Sequence, residues 1–265
     1  IASLPYEQQG DDMLGVTPTP LRNLSQHRLE PLLLKGAGDV RYSRSWVSSE
    51  ETTDGIVVDV DGPDGSFSIG AKYLIAADGA ASPVRRSLAI ELIGPRSIQS
   101  FLTIHFRADL RPLVGEHRGI LYFVADPACG GTFVAHSIDS EAVYMHPFDP
   151  DVDPLESFDE KRCRHIVTAA VDGELDFEFV GVSAWHMSAQ IAERYSEGRT
   201  FLVGDSAHRF PPTGGLGLNT GVADAHNLVW KIAAVEAGWA SPTLLDSYET
   251  ERKPVAEFNS EQSLI

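Results

Sequence analysis

Alternating apolar and polar residues, interrupted by turn-forming Gly, Pro and Asp, occupy much of the first half of the chain. A first set of runs, at residues 40–77, reads VRYSRSWVSS, GIVVDV and SFSIGAKYLIAA. A second set, at residues 98–148, reads SFLTIHFRADL, GILYFVAD, GTFVAHSI and EAVYMHPF. Such alternation is typical of half-buried strands, and closely spaced turns favour antiparallel neighbours. The pattern predicts strands in the first set and an antiparallel sheet in the second.

Apolar residues at helical spacing predict four longer helices. The earliest begins after Ser25, where Leu29, Leu32 and Leu33 would form the buried face. Pro31 disturbs anything but a first helical turn, so the start of this helix stays open. Residues 1–24 show no period and are predicted to form a loop. The other helices are predicted at residues 158–171, at about 219–237 and from about 244 onward.

The segment RTFLVGDSAHRFPPTGGLGLNTGVADAHNLVW, residues 199–230, carries the densest set of chemical signals. Residues 200–203 are typical of a fully buried parallel strand, and Asp205 would stand at its carboxyl end, where open α/β sheets bind ligands. The glycines at 214, 215 and 217 would let a flat ligand approach the backbone. A helix from about Asn219 would direct free amides and its positive dipole end towards that ligand, which suits a group that becomes anionic, such as a reduced flavin.

A structural interpretation of the same segment is also open. A glycine-rich strand-to-helix connection is common without any ligand, and Asp205 could simply cap a turn. His208 is better explained as a hydrogen-bonded structural histidine than as a general base. The apolar residues of the following helix are predicted to be core positions: Val222, Leu228, Val229 and Ile232.

Two motifs together resemble one enzyme family. The string GDSAHRFPPTGGLGLNTGVADAHNLVWKI, at residues 204–232, resembles the third flavin motif of para-hydroxybenzoate-hydroxylase-like flavoprotein monooxygenases, and YLIAADGAASPVRRSL, at 73–88, resembles their middle motif. These are single-component aromatic hydroxylases that use FAD and NAD(P)H. The resemblance implies an α/β (α+β) fold, with a partial Rossmann-like FAD-binding domain at residues 1–90 and 189–265. An inserted, mainly antiparallel substrate-covering sheet would occupy residues 91–188.

The resemblance also implies a role for each matching position. Asp205 would bind the ribityl chain, and Pro212 would lie between flavin and substrate. Asp78 would organise the pyrophosphate region, although Ala81, where the family often has arginine, leaves the handling of the nicotinamide cofactor open. Gln26, in SQHRLEPLLL, would be a polar flavin contact, and residues 217–219 would offer backbone contacts to the isoalloxazine. The implied cofactor-binding set is Gln26, Asp78, Gly204, Asp205, Gly214, Gly215, Gly217, Leu218 and Asn219.

As implied by the resemblance, NAD(P)H reduces FAD, dioxygen adds to the reduced flavin, and a flavin hydroperoxide hydroxylates a small aromatic substrate, usually a phenol. No catalytic base can be assigned and no metal site is predicted. Four histidines on predicted strands are candidate bases but are better explained as structural: His105, His136, His146 and His186. Aromatic residues of the sheet could line a substrate pocket or belong to the core: Phe101, Phe106, Tyr122, Phe123 and Phe133.

The family's opening G-x-G-x-x-G turn, which binds the pyrophosphate, does not occur before Ser25. The chain also begins Ile1-Ala2-Ser3, without methionine. We therefore expect a chain that lacks the first βαβ unit and a C-terminal portion of the family, and that by itself binds FAD weakly or not at all. Two alternatives stay open: a related epoxidase or tailoring oxygenase acting on a polyketide or antibiotic, and a fragment that acts only as a binding module.

The amino-acid composition disfavours some classes of binding partner. A formal charge of −17, from 21 basic and 38 acidic residues, disfavours nucleic acid and anionic membrane surfaces. No apolar run is long enough for a membrane helix. Cys129 and Cys163 lack metal-type spacing, so two inert thiols in a reducing compartment are expected. These features favour a cytoplasmic protein, and they leave its oligomeric state open.

Overall fold

The computed structural model describes residues 14–18, 24–117, 119–171 and 173–264. The described residues form two compact units. One contains the described residues up to Val40 together with Gln99–His186, and the other contains Arg41–Ile98 together with the described residues from Met187 onward. Most of the predicted N-terminal loop at residues 1–24 lies outside the described ranges. Among the helices that are described, none is both long and apolar enough to cross a membrane.

The first unit is built on a five-stranded sheet in the order β10-β6-β9-β8-β7. The pairs β6–β9, β9–β8 and β8–β7 are antiparallel, which confirms the arrangement predicted from the alternating runs. Along β6, every second residue from Ser100 to Phe106 is buried. The strands are β6 (Gln99–Arg107), β7 (Leu121–Val124), β8 (Gly131–Ser137), β9 (Glu141–Phe148) and β10 (Glu178–Met187).

One face of this sheet packs against a helix. Leu102, Ile104 and Phe106 of β6 share a core with Cys163 and Val167 of helix α4. The prediction of a helix at residues 158–171 is thus confirmed, with a start two residues later than predicted. The helices of this unit are α1 (Gln26–Gly36), the short α3 (Arg111–Val114) and α4 (Glu160–Val171).

Helix α1 forms where the leucine spacing predicts it, but its predicted burial is wrong. No residue of α1 is buried, and Leu32 and Leu33 are 54% and 61% exposed. Spacing fixes which side chains share a face, but it does not supply a surface to cover that face. The sequence left the start of this helix open because of Pro31. In the structure the helix begins at Gln26 and continues through Pro31, which lacks a backbone N–H donor.

The second unit contains three small sheets. Strands β1, β2 and β3 form an antiparallel meander, with Ile56, Val58 and Val60 of β2 on its buried side. The run SFSIGAKYLIAA does not form one strand. It divides into β3 and β4, and β4 joins a different sheet as the parallel neighbour of β13. The first four strands are β1 (Ser45–Glu51), β2 (Ile56–Gly62), β3 (Gly65–Ala71) and β4 (Leu74–Ala76).

Strand β13 forms the centre of the sheet β12-β13-β4. All three of its residues are buried, which confirms the prediction of a buried parallel strand. A third sheet has the order β14-β11-β5, with antiparallel pairing. The remaining strands are β5 (Leu92–Ile93), β11 (Gln190–Ala192), β12 (Ser196–Glu197), β13 (Thr200–Leu202) and β14 (His208–Arg209).

Three helices complete the second unit. Helix α2 begins with Pro83, and Ser82 caps it by accepting a hydrogen bond from the Arg85 amide. Helix α5 begins at Leu216, somewhat before the predicted start. Its Leu228 is buried and Ile232 packs on the core, but Val222 and Val229 are exposed, so their predicted core role is wrong. The helices are α2 (Pro83–Ser87), α5 (Leu216–Glu236) and α6 (Ser247–Ser263), the last preceded by a 3-10 turn at Pro242–Asp246.

Candidate functional site

A tight turn directly follows the buried strand β13. Residues Gly204–Ser206 form one turn of 3-10 helix, and Gly204 opens it with a left-handed φ of 59°. Residues with a side chain rarely adopt this conformation, so the glycine is needed there. Asp205 is exposed, and within the described ranges its carboxylate has no hydrogen bond or ion pair. An uncommitted carboxylate therefore stands at the carboxyl end of a buried parallel strand.

The turn is braced by its own serine. Ser206 Oγ accepts a hydrogen bond from the Val203 amide at 3.0 Å and donates to the Ala76 carbonyl of β4 at 2.6 Å. The buried Arg85 guanidinium donates to the Ser206 carbonyl at 2.9 Å. Both strands of the parallel pair and helix α2 thus hold the backbone beneath Asp205.

A buried ionic network supports the turn from helix α5. Asp224 is fully buried and accepts hydrogen bonds from His208 Nε2 at 2.6 Å and Arg252 Nε at 2.8 Å. The Gly204 amide also donates to Asp224, at 3.3 Å. Burial by itself raises the pKa of Asp224, but the hydrogen bonds and charges of His208 and Arg252 outweigh it, so the pKa lies below its ordinary value. His208 therefore has the structural role that the sequence favoured.

Close packing between the turn and helix α5 depends on a second glycine. A Cβ atom at Gly221 would lie only 3.2 Å from the Cα of Gly204. Sequence reasoning assigned no role to Gly221 or to Asp224. The available signals were a glycine and an acidic residue inside an apolar helical pattern, both of which suggest a local packing or pairing requirement.

The start of helix α5 is open to a ligand. Gly215, the N-cap residue, has a left-handed φ of 64° and makes no side-chain capping bond. A Cβ atom at Gly215 or Gly217 would meet nothing within 4 Å. Pro212, Gly214, Leu218 and Asn219 are likewise exposed. The first amides of a helix have no intrahelical acceptor and lie at the positive end of its dipole, so this surface offers donors to a flat, electron-rich group.

The two remaining predicted cofactor residues lie elsewhere. Asp78 is exposed and follows β4, the parallel neighbour of β13, so Asp78 and Asp205 both come after the carboxyl ends of adjacent strands. Its Oδ2 accepts a hydrogen bond from the Val84 amide at 3.1 Å. Gln26 belongs to the other unit. It lies on α1, is exposed, and donates to Glu30 Oε1 at 2.6 Å.

Three of the four strand histidines have partners that suit a structural role. His146 Nδ1 donates to the Gly130 carbonyl at 2.9 Å, and His186 Nδ1 is 2.8 Å from the Ser100 hydroxyl. His105 Nε2 donates to Glu141 at 2.8 Å. His136 differs, because its Nδ1 is buried without a hydrogen-bond partner in the described structure.

The aromatic residues of the sheet have different environments. Phe106 and Phe133 are buried core residues, with their rings 6.2 Å apart. Phe101 stacks on Trp185 at 5.0 Å, and Phe123 is exposed. Tyr122 is bonded through its hydroxyl to the Gly119 amide. For Phe106 and Phe133, the core alternative is the correct one.

The donor set in the second unit fits FAD. A free carboxylate can accept hydrogen bonds from the ribityl hydroxyls, and unobstructed amides at a helix N-terminus can face an isoalloxazine edge that becomes anionic on reduction. The open space at Gly215 and Gly217 is what a flat ring system needs for close approach.

Comparison with known proteins gives the same indication. A family model described as FAD binding domain matches residues 6–263. A putative polyketide hydroxylase of Streptomyces coelicolor is 40% identical over 95% of this chain and 42% of its own length. A 4-methyl-5-nitrocatechol 5-monooxygenase of Burkholderia is 37% identical over 93% of this chain and 47% of its own length.

A solved structure is also similar. Aklavinone-11 hydroxylase in a ternary complex with FAD and aklavinone superposes with a TM-score of 0.89 and 38% identity, covering 96% of this chain and 50% of that one. The chain spans about half the length of the proteins it matches.

Proposed function

Because the chain belongs to the FAD binding domain family, in its para-hydroxybenzoate-hydroxylase-like branch, we propose that its protein is a flavin-dependent monooxygenase that hydroxylates an aromatic polyketide. The observation that carries this proposal is the uncommitted Asp205 carboxylate at the end of β13, in the same unit as the open N-terminus of α5. In this proposal residues 1–90 and 189–265 serve the cofactor, and residues 91–188 cover the substrate.

The chain's own residues bind and orient the cofactor. Asp205 accepts hydrogen bonds from the ribityl hydroxyls, while the turn that includes Gly204 keeps that carboxylate in place. Gly214 and Gly215 leave room for the ring, and the amides of residues 217–219 donate to its electron-rich edge. Bound FAD supplies the redox and dioxygen chemistry, with NAD(P)H as the electron donor.

Electrostatics at the start of α5 is the chain's contribution to the reaction. The dipole of this long helix would place partial positive charge beside the electron-rich edge of bound FAD, where it would stabilise negative charge. Pro212, with no amide proton, would face the substrate side of the ring. Asp78 would serve the pyrophosphate region, and Gln26 would add a polar contact from α1. The use of NAD(P)H also favours a cytoplasmic location.

The proposed substrate class rests on the relatives. The polyketide hydroxylase and the aklavinone hydroxylase, at 40% and 38% identity, both favour an aromatic polyketide. The nitrocatechol monooxygenase, at 37% identity, favours a second candidate, a small phenol. The identities are too similar to separate the two, so the assay must include both classes.

The test is an assay of the protein that carries this chain, with NADPH or NADH and isotopically labelled dioxygen. Aklavinone represents the polyketide class, and 4-methyl-5-nitrocatechol represents the small phenols. We expect mass spectrometry to find one labelled oxygen atom in the polyketide product and none when the reductant is omitted. Labelling of the catechol alone would establish the second candidate. Consumption of reductant without oxygen transfer to either class would contradict both.

A further inference from the structure

Ligand-type side chains converge at one end of the five-stranded sheet, in the unit that does not contain Asp205. His27 comes from α1, His136 from β8 and Glu141 from the start of β9. One possible ligand atom from each lies within 4.8 Å of the other two. His27 Nε2 is 3.8 Å from Glu141 Oε2 and 3.4 Å from the Ser25 hydroxyl.

An irregularity in the β8–β9 hairpin places His136 in this cluster. The regular register ends with Ala135 opposite Ala142 and resumes with Ser137 opposite Glu141. His136 is therefore the extra residue on β8. Such bulges redirect a side chain out of the regular alternation, and they recur beside functional sites.

The imidazole of His136 has a ring nitrogen without a hydrogen-bond partner among the described residues. Its Nδ1 is buried and has no hydrogen-bond partner in the described part of the chain. Leaving such a polar atom unsatisfied costs about 1–3 kcal/mol, so an unpaired one calls for an explanation.

Glu141 is oriented by a neighbouring histidine. His105 Nε2 donates a hydrogen bond to its Oε1 at 2.8 Å. The second oxygen faces His27. One carboxylate oxygen is thus oriented by an outer partner while the other is available, which is the arrangement seen around metal-binding carboxylates.

We propose that His27, His136 and Glu141 form a binding site for a divalent transition-metal ion, with zinc the best match. Two imidazoles and a carboxylate, with a fourth position left for water, are ligands typical of zinc. Metal bonds of about 2.0–2.1 Å in a tetrahedral site separate ligand atoms by roughly 3.3 Å. The present cluster is wider, but His27 is 53% exposed on a helix with no buried residue and can move inwards.

Metal binding would join α1 to the sheet. The helix has no buried residue of its own, so a bond from His27 to a metal shared with β8 and β9 would hold it far more firmly than its present contacts. This proposal does not depend on flavin binding or on oxygenase activity.

The test is calorimetric titration of the full chain, purified without a histidine tag and freed of metal by a chelator, with ZnCl₂. We expect one zinc ion per chain and a higher Tm with zinc than without. His27→Ala and His136→Ala should each weaken zinc binding by about a hundredfold, and His105→Ala by about tenfold, because it orients Glu141. The control is His165→Ala, an exposed histidine on α4, which should bind zinc normally.

Circular dichroism of the metal-free variants establishes that each is folded. Should His136→Ala fail to fold, His27→Ala decides the outcome, since its side chain is at the surface. Absence of zinc binding by the wild-type chain would overturn the proposal. Binding that is equally tight in His27→Ala and in the wild-type chain would overturn it too, because it would mean adventitious surface binding.

Discussion

Gly204 and Gly221 lie so close together that a methyl group at position 221 would disturb the packing of the Asp205 turn against helix α5. The Cβ of an alanine at position 221 would lie 3.2 Å from the Gly204 Cα, and Gly204 is itself fixed by its left-handed backbone and its bond to Asp224. The neighbour is backbone and has little freedom to move. Glycine therefore fits at position 221 despite its poor helix propensity.

Gly221→Ala tests this contact against Gly217→Ala on the same helix. Alanine gains about 1 kcal/mol of helix propensity in a helix interior, but overpacking costs about 1–3 kcal/mol. At Gly217 the space is open, so only the gain applies. We expect Gly221→Ala to be about 1–3 kcal/mol less stable than Gly217→Ala in denaturant unfolding, because the propensity gain is common to both variants. Equal stabilities, or a more stable Gly221→Ala, would contradict this expectation and show that the Gly204 turn shifts to accommodate the methyl group.

Helices α5 and α6 are joined by polar contacts as well as by apolar packing. Lys231 of α5 is fully buried, and its ammonium is 2.9 Å from Glu251 Oε1 and 2.6 Å from the Ser247 hydroxyl. Asn227 donates to the other oxygen of Glu251 at 2.8 Å. Hydrogen bonds from Asn227 and Lys231 lower the pKa of Glu251 to about 2.

Glu251→Gln should destabilise the protein by about 1–3 kcal/mol near neutral pH, because the buried Lys231 ammonium loses its counter-charge. The depressed pKa means that this stability is present above the ordinary value of 4.5 and is lost as pH falls towards 2. The wild-type advantage over Glu251→Gln should therefore shrink in acid. Glu257→Gln, an exposed change on the same helix, is the control for unfolding curves at both pH values. A constant difference between wild type and Glu251→Gln would contradict the pairing.

Sequence patterns predicted those elements whose local period matches their final surroundings. The apolar run at residues 200–203 forms a buried strand, because side chains on both faces of such a strand must avoid water. The alternating runs of residues 98–148 pair with one another in a single sheet. The burial of the α1 leucines was predicted wrongly, because their spacing does not show whether another part of the protein covers them. The break between β3 and β4 was missed because both strands have strand-like composition, and only the tertiary partner separates them.

The sites were predictable to different degrees. The residues that follow β13 stand next to one another in the chain, so their motif could be found in one segment. The His27, His136 and Glu141 cluster joins three separated elements through a bulge, which no local pattern indicates. Asp224 was missed for a related reason, since its partners His208 and Arg252 lie on β14 and α6.

Each of the two units has its own hydrophobic core, and both cysteines belong to the first. Cys163 lies at the centre of the core between β6 and α4, and Cys129 is also buried. Burial raises the pKa of the Cys163 thiol, so little reactive thiolate forms. The two thiols therefore report on the opening of that unit alone.

An aromatic disulfide reagent should react with both thiols at least roughly a hundredfold more slowly in the native chain than in denaturant, because reaction requires an opening of the core. Release of the coloured product, followed in the native state and across a denaturant series, measures this protection. A thiol that reacts rapidly in the native protein would contradict the burial of that cysteine.

For the molecule as a whole, we propose that the carboxylate following β13 holds the flavin. Asp205→Ala, made in the protein that carries this chain, should lower FAD affinity by about tenfold to a hundredfold, since a charge-assisted hydrogen bond contributes about 1.5–3 kcal/mol. The control is Asp246→Ala, which removes an exposed carboxylate from the same unit.

The deciding measurement is the ratio of flavin to protein after purification, with a fluorescence titration of FAD into the stripped protein. We expect a yellow wild type, a yellow Asp246→Ala and a largely colourless Asp205→Ala of unchanged fold. Wild-type flavin occupancy and affinity in Asp205→Ala would contradict this proposal.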